Sequence, residues 1–296
     1  MQSAPPYPIG SVVIPAHNEA AVIRRCLDAL LVGFAPNELD VVVACNGCTD
    51  DTAGIVRSRW PAVRVIEIAR ASKPSALRAA DEMLNTFPRI YLDADVILPA
   101  ASARLLIGSL QPGGSAVAAR PRCSYDVSRS DALVRSYFRS LARVQSATNS
   151  IWGPVYGLSK AGRARFTVYP DIIADDLFAD QWFEPSEIVI VDNTLATITA
   201  PLRLRDLIHI SCRRRKGNAQ IRALPNGPES TASSTVRSLL STVTSGPGAA
   251  LDTLVYLALA IIVRVSTSVS PPADWSRDES SRSEIIESNA YVEDPT

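Results

Sequence analysis

Residues 89–95 read Arg-Ile-Tyr-Leu-Asp-Ala-Asp, an apolar segment that runs directly into two carboxylates. Three apolar segments precede it, at 11–15, 39–44 and 63–68. Helical patterns fill the intervals at 18–31, where Asn18 is the predicted N-cap, and at 49–60 and 72–84. Strands that alternate with helices of about 12–15 residues predict right-handed βαβ units and a parallel sheet with helices on both faces.

The two carboxylates of this segment belong to Asp93 and Asp95. Residues i and i+2 of a strand point to the same face, and ligands bind at the carboxyl ends of parallel strands. Carboxylate oxygens suit Mg²⁺ or Mn²⁺, which would bridge the phosphates of a nucleotide. The alternative is that Asp-x-Asp caps a helix or lies in a solvated turn.

The composition limits the possible partners. The chain has 296 residues and a formal net charge of zero, with 30 Lys or Arg and 30 Asp or Glu, so it lacks the broad positive field of nucleic-acid binders. Its length predicts one large domain or two small ones. Five scattered cysteines do not predict a disulfide framework, and the N-terminal residues lack a signal-peptide pattern. We therefore expect a cytoplasmic protein with no nucleic-acid partner.

The pattern is looser after residue 98. It predicts helices over 101–110 and 131–145, a strand over 116–120, and an extended hairpin or strand pair over 188–199. Residues 249–263 are mostly apolar, but they are interrupted by Asp252 and fall short of the about 20 residues of a spanning helix. We expect an interfacial or packed helix there.

The N-terminal half resembles the family 2 glycosyltransferases, which have the GT-A fold. The resemblance covers about residues 11–177, with the motifs in the order and at the spacing that the family uses. The motifs are Val13-Ile-Pro-Ala-His-Asn-Glu19, Asn46-Gly-Cys-Thr-Asp-Asp-Thr52, Lys73 with Ala76-Leu77, Asp93-Ala-Asp95, Gly153-Pro-Val-Tyr-Gly157 and Ala174-Asp-Asp-Leu177.

The resemblance implies an α/β fold: a GT-A-like, Rossmann-type, mostly parallel sheet with helices on both faces and a C-terminal helical extension. A glycosyltransferase domain would span 8–224, with a nucleotide-binding half at 8–98 and an acceptor half at 99–224. A Ser-, Thr-, Pro- and Gly-rich linker would follow at 225–248, then an apolar helix at 249–269 and a polar tail at 270–296.

On the donor side, the resemblance implies that Pro15, His17 and Glu19 flank the base and ribose, although the same loop could be a simple turn. Asn46 follows Cys45 where the family normally has an acidic residue that reads the base, which leaves the base preference open. Lys73, just before the third helix, would meet the diphosphate, and Arg78 is a weaker candidate.

The resemblance also implies a Mg²⁺ or Mn²⁺ ion held by Asp95 and, directly or indirectly, by Asp93. Some related enzymes add a histidine and basic residues, so His209 is a candidate metal ligand and Arg213 and Arg215 are candidates for the diphosphate. The alternative for this segment is a basic loop, or one that contacts an anionic membrane surface.

On the acceptor side, Asp176 matches the family's catalytic base, and Gly153, Tyr156, Gly157 and Asp175 would lie near the acceptor. The alternative for the two acids is a pair that favours a helix N-terminus. Trp152 and Trp182 could stack on a sugar or lie in the core. Cys45 and Cys48 form a C-x-x-C with no second ligand pair, which favours small loop thiols over a zinc or redox site.

The reaction that the resemblance implies is the inverting transfer of a sugar from a UDP- or GDP-sugar to an acceptor hydroxyl, by a metal-assisted single displacement. The acceptor would be a glycan or a lipid-linked molecule in cell-envelope or exopolysaccharide synthesis. The helix over 249–263 could make peripheral contact with the inner face of the membrane, or it could mediate a homodimer. Two alternatives remain: a sugar-phosphate nucleotidyltransferase and a non-catalytic nucleotide-binding scaffold.

Overall fold

A computed structural model of the chain describes residues 8–114, 116–146, 150–224 and 247–269. They form two compact units, the first from the described residues of 1–124 and 149–198, the second from those of 125–148 and 199–296. The boundaries differ from the predicted halves 8–98 and 99–224, because strands from both halves pair in one sheet. The predicted tail 270–296 and all but the last two residues of the predicted linker 225–248 lie outside the described residues.

The first unit begins with the predicted alternation of strands and helices. The elements are β1 Gly10–Ala16, α1 Ile23–Leu31, β2 Leu39–Asn46, α2 Thr52–Arg59, β3 Arg64–Ile68, α3 Lys73–Met83 and β4 Arg89–Leu92. β1 pairs in parallel with β2 and β4, and β2 pairs in parallel with β3. The strands β1, β2 and β4 are buried almost throughout, as apolar strands covered on both faces should be.

The rest of the first unit extends this sheet with antiparallel pairs. The elements are β5 Val96–Ile97, α4 Ala100–Gly108, β6 Ala118–Asp126, β7 Val155–Leu158, α6 Lys160–Arg163, α7 Asp175–Asp180 and β8 Ile188–Thr199. The sheet has the strand order β3-β2-β1-β4-β7-β6-β8-β5, and β7 pairs antiparallel with both β4 and β6. The predicted α/β fold is confirmed, with its parallel pairing confined to β1–β4.

Two local predictions were wrong. The segment 188–199 is one continuous strand of 12 residues, which pairs with β5 instead of folding back on itself. Asn18 does not cap α1, which begins five residues later after Val22 without a side-chain cap. Asn18 has a positive φ of 51°, and its side-chain oxygen instead accepts hydrogen bonds from the loop after β2.

The second unit contains three long helices: α5 Ala132–Ser146, α8 Leu204–Arg222 and α9 Pro247–Val269. α9 packs against α5 and α8. The helix matches the predicted 249–269 with two further residues at its N-terminus, and it continues beyond the apolar run 249–263 at both ends. Its segment Gly248–Ser268 has 21 residues with a mean hydropathy of 1.9, which is sufficient to cross a membrane by length and composition.

Candidate active site

The loops after β1 and β2 are joined by hydrogen bonds at the carboxyl end of the parallel strands. Nδ1 of His17 donates to the backbone carbonyl of Asn46, and the side-chain oxygen of Asn18 accepts from the backbone N–H of Thr49 at 2.6 Å. Two of the predicted nucleotide-binding segments therefore lie next to each other. The side chains of His17 and Asn18 hold the two loops against each other.

Asn46 is almost fully buried at this edge. Its amide nitrogen donates to the carbonyl of Ala16 at 2.9 Å, while its Oδ1 has no hydrogen-bond partner in the structure. An amide committed in this way holds the end of β1 beside the end of β2. Glu19 is also buried, and its backbone N–H donates to Thr52, so the loop where the base and ribose are predicted to bind is tied to the start of α2.

Asp93 lies directly after β4 and connects two loops. Its backbone N–H donates to the carbonyl of Pro154 at 2.9 Å, and its Oδ1 lies 2.7 Å from Nζ of Lys73. Lys73 is the first residue of α3, whose N-terminus is capped by the side chain of Ser72. The same ammonium lies 3.1 Å from Oδ1 of Asp175. Lys73 therefore links the predicted metal-binding motif to the predicted acidic pair.

The buried surroundings of Asp175 shift the pKa of its carboxyl. Its side chain is 4% exposed, and burial raises the pKa of its carboxyl to about 6, an effect that Lys73 opposes and the charges of Asp176 and Asp93 strengthen. Burial disfavours the charged form of Lys73, but attraction to Asp175 and Asp93 outweighs it and raises the pKa of the ammonium above its ordinary value. Lys73 is thus a permanent cation in this site.

The donor set around Asp93 fits a divalent cation. Burial raises the pKa of Asp93, Lys73 opposes the shift, and the negative charges of Asp95 and Asp176 raise it further. A cation bound to these oxygens would relieve that repulsion. No cluster of three or more His, Cys, Asp or Glu side chains that could hold a metal occurs in the described part of the chain. Diphosphate and water would therefore complete the shell, as is usual for Mg²⁺.

Asp176 holds the loop before β7. Its Oδ2 accepts a hydrogen bond of 2.8 Å from the backbone N–H of Gly153, and its Oδ1 accepts from Leu177. Gly153 has a φ of +145°, which residues with a Cβ rarely adopt. The half-buried carboxylate of Asp176 is more accessible than that of Asp175.

Asp180 is a further residue of this site that the sequence analysis missed. Its Oδ1 accepts a hydrogen bond of 2.6 Å from the backbone N–H of Ile151, and burial raises the pKa of its carboxyl to about 6. Asp176 and Asp180 are four residues apart in α7, so they share a helix face and both bind the segment 151–153. That spacing was the signal in the sequence that could have identified Asp180.

A small pocket collects several predicted residues. Its lining includes Pro15, Lys73, Asp93, Gly153, Tyr156 and Asp175. Tyr156 is almost fully buried, stacks on Tyr91 with ring centroids 5.0 Å apart, and shares a hydrogen bond with the hydroxyl of Tyr169. Tyr156 thus lines the pocket from the side of the core, where its hydroxyl is engaged by Tyr169.

Other predicted residues have structural partners. Gly157 lies within β7, where an added Cβ would come within 2.9 Å of Leu110. Arg78 donates to the carbonyl of Tyr169 and pairs with Asp171. Trp182 is 41% exposed and packs beside aromatic rings, and Trp152 is half-buried. The roles of these residues toward a sugar or phosphate remain predictions.

The remaining basic and histidine candidates lie in the second unit. His209, Arg213 and Arg215 belong to the 19-residue helix α8, so the predicted basic loop is helical. His209 is exposed, and Nε of Arg215 donates to Thr267 of α9 at 3.0 Å. The roles of His209 in binding the metal and of Arg213 and Arg215 in binding the diphosphate remain predictions.

Cys45 lies near the end of β2 and Cys48 in the loop that follows it, and the two thiols are not oxidised to a disulfide. A hydrogen bond with Cys45 lowers the pKa of Cys48 to about 6, while the pKa of the Cys45 thiol is raised by the same bond and by burial. Sγ of Cys48 also accepts from the backbone N–H of Asn18. These contacts agree with small thiols that pack in a tight loop.

A family model matches the part of the chain that contains most of the parallel strands and their loops. The model described as "Glycosyl transferase family 2" matches residues 11–164, which is more than half of the chain. None of the curated proteins matches the chain.

Three solved structures share the fold. A mannosyltransferase of Pyrobaculum calidifontis in complex with GDP-Man and Mn²⁺ has a TM-score of 0.55 and 18% identity, covering 97% of this chain and 88% of that chain. Glucosyl-3-phosphoglycerate synthase of Mycobacterium tuberculosis, solved with Mn²⁺, UDP and glucosyl-3-phosphoglycerate, has a TM-score of 0.53 and 18% identity, covering 78% and 88%. Residues 1–349 of S. aureus TarS, solved with UDP, have a TM-score of 0.50 and 16% identity, and the match covers 80% of this chain and 72% of that chain.

Proposed function

The chain belongs to glycosyl transferase family 2, and from that premise we propose that it transfers a sugar from a UDP- or GDP-sugar to an acceptor hydroxyl with inversion at the anomeric carbon. The observation that carries the proposal is the assembly of Lys73, Asp93, Asp175 and Asp176 at the carboxyl end of the parallel strands. That edge is where ligands bind in sheets of this kind.

The donor would bind with its base and ribose against Pro15 at the end of β1 and against His17 and Glu19 in the loop that follows. This loop is held against Asn46 and the start of α2, so it offers a preformed surface. Two of the structurally similar enzymes were solved with UDP and one with GDP-Man. The base preference of this chain stays open at Asn46, whose amide nitrogen donates to Ala16 and whose Oδ1 remains as an acceptor.

Asp95 and Asp93 are the residues that would hold Mg²⁺ or Mn²⁺, with His209 as a further candidate ligand. The ion would supply positive charge to the leaving diphosphate. We propose that Asp95 holds the ion and that Asp93, whose Oδ1 pairs with Lys73, contributes directly or indirectly. Arg213 and Arg215 remain candidates for the diphosphate.

We propose Asp176 as the base that accepts the proton of the attacking hydroxyl. A single displacement needs a carboxylate within hydrogen-bond reach of that hydroxyl. Asp175 is less suited to this role, since its side chain is 4% exposed and paired with Lys73. Asp176 is held by the N–H of Gly153, which fixes its orientation while its oxygens keep further lone pairs for a hydroxyl.

The acceptor would enter beside the segment 153–157, where Gly153 permits close approach of the backbone. We propose a glycan or a lipid-linked acceptor, in the assembly of cell-envelope polysaccharide. The protein would then act in the cytoplasm, at the inner face of the membrane. Helix α9 is the candidate for membrane contact, and a homodimer through this helix is the alternative use of the same residues.

The family match favours a glycosyltransferase over the two alternatives from the sequence, the nucleotidyltransferase and the non-catalytic scaffold. A turnover experiment tests the proposal: release of UDP or GDP from a panel of sugar nucleotides, with Mn²⁺ and mixed glycan acceptors. Asp176→Asn should lower kcat about 10²–10⁴-fold and leave nucleotide binding unchanged.

The matched control for this experiment is Asp28→Asn, an exposed aspartate of α1 whose substitution should leave turnover unchanged. Equal turnover by Asp176→Asn and the wild-type enzyme would contradict the assignment of the base. Binding of nucleotide without any turnover by the wild-type chain would favour the scaffold.

A further inference from the structure

Helix α9 carries an apolar stripe on its outer face. Leu251, Leu254, Ile261 and Val265 are each 58–63% exposed, and Ile262 is 44% exposed. Their spacing of three, four and seven residues along a helix aligns them on one side, over a length of about 21 Å. We call these five residues the outer stripe. Exposed apolar surface of this extent marks an interaction site.

The opposite face of α9 is bound within the second unit. The carboxylate of Asp252 is 3% exposed and accepts hydrogen bonds from Ser136, Arg139 and Arg143 of α5. Tyr256 stacks on Tyr137, with ring centroids 5.1 Å apart and planes inclined by 8°. Only one face of the helix is therefore available to another molecule.

This one-sided anchoring decides between crossing a membrane and lying on it. Gly248–Ser268 is long enough to cross a membrane. In the structure 28% of its apolar window is buried, and the helix packs against α5 and α8, so lipid could surround only part of it. A crossing helix would carry Asp252 and its arginine partners into the hydrocarbon, where ionic groups are costly. A helix that lies in the plane of the interface keeps that ionic cluster on the protein side.

The charges around α9 identify the kind of surface. The stretches 125–146, 199–224 and 247–269 contain twelve Arg or Lys residues and four aspartates, in a chain whose net charge is zero. The balancing acidic residues lie elsewhere in the sequence, seven of them in residues 270–296. Arg264 is exposed on α9 next to Val265 of the outer stripe, and Nε of Arg215 donates to Thr267 near the end of α9. Basic residues beside an apolar stripe favour anionic lipid headgroups.

We infer that α9 lies in the plane of an anionic phospholipid bilayer, with the outer stripe in the boundary between headgroups and acyl chains. Arg264 and the basic residues of α8 meet the lipid phosphates, while Arg139 and Arg143 stay with Asp252 on the protein side. This mode of binding does not depend on sugar transfer and would hold for a chain without activity.

The experiment is flotation of the full chain with vesicles of phosphatidylglycerol and phosphatidylcholine in equal amounts, and with vesicles of pure phosphatidylcholine. The chain should float with the anionic vesicles, and high salt should reduce the bound fraction about fivefold or more. Leu254→Glu combined with Ile261→Glu should reduce binding about tenfold or more. The matched control combines Leu105→Glu and Leu195→Glu, which are 46% and 47% exposed in the first unit, and should float like the wild-type chain.

Three results would overturn the inference. The first is equal flotation with both kinds of vesicle, or no loss of binding in the α9 variant. The second is retention of the chain after an alkaline carbonate wash, which releases in-plane proteins and leaves spanning helices in the bilayer. The third is a wild-type chain that does not float and that forms a dimer in light scattering, which the α9 variant converts to a monomer. That result would assign the outer stripe to a second copy of the chain.

Discussion

The ammonium of Lys73 lies 2.7 Å from Oδ1 of Asp93 and 3.1 Å from Oδ1 of Asp175. The lysine that the sequence assigns to the diphosphate is thus held by two carboxylates of the same edge. It offsets part of their negative charge and joins the end of β4 to the start of α7. Asp95 lies in the turn after β4 and not within the strand, and its backbone carbonyl accepts a hydrogen bond from Arg25.

Replacement of Lys73 should separate metal binding from catalysis. In Lys73→Met the carboxylates lose a permanent cation, so Mn²⁺ should bind about tenfold more tightly in the absence of nucleotide. Sugar transfer should fall, because Asp93 and Asp175 lose the group that orients them. Electron paramagnetic resonance of free Mn²⁺ measures the affinity, and Lys73→Arg should keep that of the wild type. Weaker Mn²⁺ binding by Lys73→Met would contradict this account.

The charged carboxylate of Asp252 should stabilise the second unit at pH values above the pKa of an aspartate in the unfolded chain. Hydrogen bonds from Arg139, Ser136 and Arg143 lower the pKa of Asp252 to about 2. The stabilisation is therefore complete above about pH 4 and is lost as the pH falls through 2. Asp252→Asn should lower the free energy of unfolding by about 2 kcal/mol at pH 7, with a smaller loss at low pH.

Urea unfolding at both pH values, followed by tryptophan fluorescence and circular dichroism, measures this effect of Asp252. The control Asp192→Asn removes a carboxylate from a surface pair with 75% side-chain exposure, and should change stability by less than about 1 kcal/mol. A loss that is equally large at low pH would show that the carboxylate charge is not the cause.

Asp180 should have the opposite pH dependence. Burial raises its pKa to about 6, so the folded chain binds more protons than the unfolded chain between about pH 4 and 6. Stability should therefore decrease as the pH rises through this range. Asp180→Asn removes the ionisation but keeps an oxygen that can accept from the N–H of Ile151.

The Asp180→Asn variant should be more stable than the wild type at pH 7.5 by about 2 kcal/mol, with a smaller difference near pH 4. Denaturant titrations at the two pH values measure the difference. A variant that is less stable than the wild type at both values would mean that the charge of Asp180 contributes to the fold.

Gly153 provides the backbone conformation that presents its N–H to Asp176. With φ at +145°, Gly153→Ala should cost about 1–3 kcal/mol of stability, although the added Cβ meets no atom within 4 Å. Gly113 has a φ of +99° with equally open surroundings, so Gly113→Ala is the matched control. Both variants should lose stability, and only Gly153→Ala should also lose sugar transfer. Equal transfer by the two variants would argue against the role of the 151–153 segment.

The sequence predicted the parallel half of the sheet because its strands are apolar and separated by clear helical patterns. It placed Asp93 at the end of β4, and Asp93 does follow Leu92 directly. It missed the ion pair between Lys73 and Asp175 because those residues are about a hundred positions apart, and only tertiary packing brings them together. The start of α1 was wrong because the side chain of Asn18 binds the neighbouring loop, an alternative that local propensity does not distinguish from capping.

The most direct test of the account is calorimetric titration of UDP and GDP, with and without Mn²⁺, into the wild-type chain and Asp95→Asn. The account predicts that one nucleotide binds with Mn²⁺ and that removal of the metal weakens binding about tenfold or more. Asp95→Asn should lose the metal dependence, while Asp28→Asn should keep it. Nucleotide binding that is the same with and without Mn²⁺ in both the wild type and Asp95→Asn would contradict a metal-assisted donor site at this edge.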